Sequence, residues 1–262
     1  MQWLRLLQIQ RNLLDTPRGP ARFQRYLATM LDANGNPRLP LAAFNPMSKD
    51  HVATLLDRLL AMDAEEIGKT AMNEAGEQLP EFKGSDSTQV GLVVADDARG
   101  GWTNRWLFEA KHQFEGRYEQ RRGIITALLW SSEPADAMQV RQKVHAAIYR
   151  HDFISRQGPA KTLGQMLTQE GMAAGFAGLS MEPLPAAVAN VIKAHLETTH
   201  YPTIIACLYG DEAAEACGYE PLGLPANAGL RYALACVPRK NKAADPTGPA
   251  ALQSERSKPQ AQ

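Results

Sequence analysis

Hydrophobic residues change their spacing partway along the chain, near residue 89. Before that point Val52, Leu55, Leu56, Leu59 and Leu60 recur at three- and four-residue intervals, the period of one helix face. Ser48 stands where an N-cap is expected and Asp50 falls in the first turn, and both suit the free N–H groups of a helix start. Residues 32–40 are rich in Asn, Gly and Pro, a turn composition, because Gly and Asn admit left-handed backbone and Pro halts helices. Residues 1–85 therefore read as a helical portion.

Beyond it, Gln89–Ala95 (QVGLVVA) and residues 123–130 (GIITALLW) are nearly continuous apolar runs of strand length, as expected for strands covered on both faces. Between them, residues 103–120 carry the helical stripe Leu107, Ala110, Phe114 and Tyr118. Further helices are expected over residues 134–151, from the capping box Thr162-x-x-Gln165, and over residues 185–199. Residues 203–209 and 230–237 read as two more strands, separated by a short helix after Asp211. Strands alternating with helices predict an α/β fold: a small, mostly parallel sheet with crossover helices over residues 86–238, and the 1–85 portion packed on it.

Composition adds a tail and removes several classes of function. Residues 239–262 hold no aromatic side chain and only Thr247 among β-branched ones, too little apolar surface to offset ordering, so this segment reads as disordered. The chain carries 28 basic and 28 acidic side chains, a balance that argues against a nucleic-acid partner. No apolar run approaches the ~18 residues that span a bilayer, so no membrane partner is expected. Cys207, Cys217 and Cys236 are odd in number and lack paired spacing, which reads as reduced thiols in a cytoplasmic protein. Nothing in the sequence names a metal or a cofactor.

The stretch from Val94 to Trp106 (VADDARGGWTNRW) holds the most chemistry. It leaves the carboxyl end of a buried strand and enters a helix capped by Thr103 or Asn104, the place where open α/β sheets bind ligands. Arg99 and Arg105 suit a bidentate grip on a carboxylate or phosphate. Gly100 and Gly101 let the backbone approach a ligand, and Trp102 and Trp106 offer rings to stack on a planar one. Asp96 and Asp97 suit a general base or a magnesium ligand, and Glu133 joins them from the end of the next strand. The plainer reading is an ordinary strand-to-helix loop in which aspartates pair with arginines; neither Gly-rich phosphate signature is present.

Other motifs weigh less. His151 falls within the apolar face of its helix, whereas His145 points well over 100° away from it. His195 lies in the stripe of the 185–199 helix, where a carbonyl bond near a helix end accounts for it without function. Glu109-x-x-His112-x-x-Glu115 lacks a second copy for a di-iron centre and reads as a solvated helix face. The small residues between Gly171 and Gly178 suit close helix packing. Arg231 reads as the charge that blunts an edge strand.

Two functions follow as expectations. One is a protein binding a small anionic or aromatic metabolite at the 95–105 loop, with or without catalysis. The other is a non-catalytic interaction protein whose Leu-rich helices at 1–14 and 48–62 meet a partner or a second copy.

Overall fold

The run QVGLVVA forms the central strand of a three-stranded, all-parallel sheet. The structure is a computed structural model that describes residues 1–79, 82, 88–98, 101, 103–115 and 122–236. The expected tail at 239–262 lies outside the described residues. The strands are β1 (Gln2–Leu4), β2 (Gln89–Ala95) and β3 (Ile124–Trp130), in the order β1-β2-β3. In register, Trp3 lies opposite Val90 and Gly91 opposite Thr126. Helices α1 (Leu6–Leu14), α2 (Pro20–Met30), α3 (Asp50–Ala61) and α4 (Ala64–Gln78) lie between β1 and β2, and α5 (Arg105–Phe114) links β2 to β3. There follow α6 (Ala137–Gln157), α7 (Leu163–Phe176), α8 (Ala186–Ala194), α9 (Tyr201–Tyr209), α10 (Asp211–Ala216) and α11 (Ala228–Cys236). The fold is α/β, as the alternation predicts. No helix among the described residues is long and apolar enough to cross a membrane.

The edge groups of a buried sheet need partners, and side chains supply them here at Val94 and Thr126. β1 pairs only as far as Gly91, so Val94 has no strand beside it on that side. The fully buried Gln10 of α1 takes the place of one: its Nε2 donates to the Val94 carbonyl at 2.9 Å and its Oε1 accepts from the Val94 N–H at 3.0 Å. On β3, an edge strand, the Thr126 carbonyl accepts from His112 Nε2 of α5 at 3.0 Å. Helix α1 has no side-chain cap of its own. Glu65 of α4 supplies one, accepting from the Leu7 N–H at 2.9 Å and from Trp3 Nε1 at 2.6 Å.

Apolar residues gather in two main cores. The first joins β2 and β3 to α1, α3, α4 and α6 through residues such as Leu6, Leu56, Val93 and Ile148. The second joins α5 to the C-terminal helices through Phe114, Leu163, Ile205 and Ala228. Gly68 of α4 lets the Trp3 ring lie where a Cβ would stand, 2.3 Å from it.

Several local expectations need correcting. Residues 2–4, within the segment read as helical, form β1. Residues 203–209 and 230–236 are helical, in α9 and α11, rather than strands. The β-branched and aromatic side chains of α9 suggest a strand, but Pro202 opens a helix and Gly210 closes it at φ 97°. Residues 204–208 are all buried, so no polar face marks the helical period. Arg231 therefore blunts no strand edge; it donates to the carbonyls of Glu182 and Pro183. Ser48 does not cap α3: Lys49 holds that position, and Ser48 is buried with its hydroxyl unpaired. The helix from the Thr162 capping box runs on to Phe176, with Gly171 and Ala173 buried within it.

Two substitutions test this packing. A Cβ at Gly229 would lie 2.7 Å from Leu208 Cα and 2.8 Å from its carbonyl oxygen, so Gly229→Ala must push α11 off α9. The expected loss is about 1–3 kcal/mol, read as a lower urea midpoint at unchanged slope. Gln10→Leu, which strands both Val94 groups, should cost on the order of 2 kcal/mol. Unchanged midpoints in either variant contradict these contacts.

Candidate functional site

The carboxyl ends of β2 and β3 open on the same edge, and their loops are tied together there. Asp97 follows β2 and Ser131–Glu133 follow β3. The Asp97 carboxylate accepts from the Ser132 N–H at 3.0 Å, from Ser132 Oγ at 2.6 Å and from Arg105 Nη1 at 3.2 Å. Arg105 opens α5 and also meets Glu133 through Nη2 and Glu109 Oε2 at 3.5 Å. Its guanidinium lies 4.7 Å from the Trp106 ring centre and 5.4 Å from that of Trp130. Burial alone would lower the Arg105 pKa, but the charges of Glu133, Glu109 and Asp97 reverse that and hold it above its ordinary value. Lys143 of α6 extends the network to Glu133 at 3.0 Å.

Behind Arg105 lies a cavity of about 290 Å³, bounded by α5, the turn after β3, α6, α7, α9 and α11. Charged and polar side chains form much of its wall: Arg105, Glu109, Glu133, Lys143, Arg150 and Glu170. Trp106, Ala146, Ala174, Leu208 and Leu230 supply apolar surface. Arg150 grips Glu170 with two hydrogen bonds, at 2.7 and 2.6 Å. Tyr209 donates to Gln113 Oε1 at 3.0 Å, and Gln113 Nε2 donates to Glu109 at 3.1 Å. Burial, with the nearby charges of Glu109 and Glu170, pushes the Tyr209 pKa well above its ordinary value, so the phenol keeps its proton and remains a donor.

The residues singled out in the sequence fall into separate places. Arg105 and Glu133 meet on the cavity wall. Asp97 stands behind them as their anchor. Asp96 faces elsewhere: 2% exposed, it accepts from His51 Nε2 at 2.8 Å, Ser131 Oγ at 2.8 Å, Asn45 Nδ2 at 3.4 Å and the Ala98 N–H at 3.3 Å. Asn104 is the N-cap of α5, accepting from the Leu107 N–H at 3.1 Å, and Thr103 precedes it in the loop. Gly101 packs on the chain's own backbone: a Cβ there would lie 2.0 Å from the Asp96 carbonyl oxygen. Arg99, Gly100 and Trp102 lie outside the described residues.

Sequence reasoning missed His51, Lys143, Arg150, Glu170 and Tyr209, which come from four different helices. Only the regular spacing of charges along the inner face of α6, Lys143 and Arg150 seven apart, left a trace of them.

The Glu109–His112 pair does not sit on a solvated face. Glu109 turns to Arg105 and Gln113, and His112 bonds the sheet and stacks on Phe108. Helix α6 is buried on two sides, by α4 and α7, so one apolar stripe does not describe it. His145, not only His151, is therefore enclosed: it lies 3.3 Å from Glu74 and against the Phe176 ring, while His151 packs on Phe82. His195 Nδ1 donates to the Val191 carbonyl at 2.8 Å. Among the described residues no group of three or more His, Cys, Asp or Glu side chains is placed to hold a metal ion.

No family model, curated protein or solved structure matches this chain.

The two enclosed histidines set a pH dependence. Burial lowers the pKa of His145, with Arg141 adding to the effect and Glu74 opposing it, and burial lowers that of His151. The unfolded chain, with histidines near ~6.5, then binds protons more readily than the folded one. Their contribution is complete above that value and falls away as the pH drops below it. The urea midpoint should fall between pH 7.5 and 5.5, and fall less in the double variant His145→Gln/His151→Gln. Equal slopes in the two proteins would contradict the assignment. At the loop, Gly101→Ala should displace Asp96 and Asp97 and cost about 1–3 kcal/mol of stability, read as a lower urea midpoint.

Proposed function

We propose that this protein binds a small polar metabolite in the cavity beneath Arg105 and Glu133. One observation carries the reading: the cavity brings charged side chains from four segments around a space of about 290 Å³, at the carboxyl edge of a parallel sheet. That edge is where open α/β sheets take their ligands. At ~30 Å³ per water, the space suits an occupant of amino-acid size. Holding so many ionised groups together is a costly way to fill a core, because removing water from each ion costs several kcal/mol.

The binding surface is then the wall formed by Arg105, Glu133 and the side chains facing them, with Asp97 and Asn104 as the frame. The expected interaction surface on the N-terminal helices has no comparable support. Leu6, Leu7, Leu13, Leu55, Leu56 and Leu59 are buried in the protein's own core.

A thermal-shift screen tests the proposal, using amines, amino acids, nucleosides, carboxylates and phosphates on the wild type and on Ala174→Phe. Ala174 lines the cavity and is 3% exposed, so a phenyl ring there occupies the space without altering a charge. A ligand at about 100 times its Kd should raise the wild-type Tm by about 5–10 °C and leave the variant unmoved. Hits that survive in Ala174→Phe would place the site elsewhere. A flat response in every class would remove the case for it.

A further inference from the structure

We infer that the occupant of this cavity is a neutral, polyhydroxylated molecule, a single sugar or cyclitol ring. The inference rests on the cavity being a ligand site and names what it takes. The charges of the wall cancel: Arg105, Lys143 and Arg150 face Glu109, Glu133 and Glu170. Each is already in an ion pair, Arg105 with Glu109 and Glu133, Lys143 with Glu133, and Arg150 with Glu170. Asp97 stands behind this wall, where the Ser132 N–H and hydroxyl also answer it. An entering ion of either sign must break one of these pairs or stay uncompensated, and both are costly away from water. A neutral molecule does neither.

What the wall still offers is hydrogen bonding, in both senses and side by side. Among the described residues, Glu109 Oε2 and Glu133 Oε2 are shielded from water and accept no hydrogen bond, and Arg105 Nε is equally shielded and donates none. Arg150 places Nε and Nη2 on Glu170, which leaves Nη1 as a further donor. Arg105 Nε and Glu109 Oε2 are 3.5 Å apart, close enough to attract as charges but not aligned to bond. A hydroxyl answers such a pair, because it carries one donor and two acceptor sites, whereas an ammonium has donors only and a carboxylate acceptors only. The amides of Gln139 and Gln142 on the same wall again present a donor and an acceptor each. An amino-acid zwitterion is also neutral, but its two ends repeat the ion pairs that the wall has already made.

The space, about 290 Å³, has room for about ten waters at ~30 Å³ each. A sugar ring replaces several of them with hydroxyls held in one frame, which spares the entropy of ordering each separately. Trp106, Leu208 and Leu230 give the wall an apolar side for the C–H face of such a ring.

Sugars join the thermal screen as a further class, and isothermal titration calorimetry on the full chain then separates shape from charge. A neutral hexose (glucose, galactose or mannose) is compared with its amino sugar and its uronate, with myo-inositol as the cyclitol and serine as the zwitterion. The hexose or inositol should bind, each charged analogue at least tenfold more weakly, and serine not at all. Glu109→Gln, which turns an acceptor into a donor and leaves the wall one positive charge in excess, should weaken the hexose at least tenfold and narrow its lead over the uronate. Glu133→Gln serves as a second variant should the first lose its fold, with circular dichroism as the check. A charged analogue or serine binding as tightly as the neutral ring, or hexose affinity indifferent to both substitutions, would overturn the inference. If no neutral sugar or cyclitol binds while another class from the screen is lost in Ala174→Phe, the cavity stands as a site and the hydroxyl assignment falls. If no ligand is lost in that variant, both fall together.

Discussion

Parallel strands end in loops that point the same way, and a site can form there only once something fixes those ends against each other. Here the fixing element is the Arg105 guanidinium. It reaches Asp97 after β2, Glu133 after β3 and Glu109 one turn along its own helix. The indole rings of Trp106 and Trp130 lie against it. A planar group with several donors in fixed directions holds three partners at set angles, which a lysine ammonium does not. Together with the Asp97–Ser132 hydrogen bonds, this side chain ties the two strand ends and the start of α5 to the cavity wall.

Such a network is a poor way to gain stability alone. Removing water from each ion costs several kcal/mol, and an apolar cluster of the same volume often does as well. Its value is geometric: a wrong arrangement leaves a buried charge unpaired, so one arrangement is selected. The chain shows the same economy elsewhere. Gln10 stands in for a missing strand beside Val94, Glu65 caps α1 from another helix, and Asp96 gathers His51, Asn45 and Ser131 around one carboxylate. In each case a polar side chain far away in sequence completes a backbone or loop that cannot complete itself.

This long-range character explains what could be read in advance. The strands QVGLVVA and GIITALLW announce themselves because both faces are buried and the runs are short. The cap at Asn104 and the capping box at Thr162 are local hydrogen-bond patterns, and local patterns are legible. Residues 203–209 misled because a helix buried on all sides shows no period, leaving only β-branched composition to judge by. The pairing of Arg105 with Glu133 follows from adjacent parallel strands sharing an edge. The far wall of the cavity does not: Arg150, Glu170 and Tyr209 reach it through the packing of α6, α7 and α9, which no spacing rule encodes.

The direct test is a double-mutant cycle on the clasp, with Arg105→Met, Glu133→Gln and the double variant unfolded in urea at neutral pH. If Arg105 and Glu133 hold the two strand ends together, their coupling energy should be about 1–3 kcal/mol. Coupling within about 0.3 kcal/mol of zero, the range of independent sites, would contradict it.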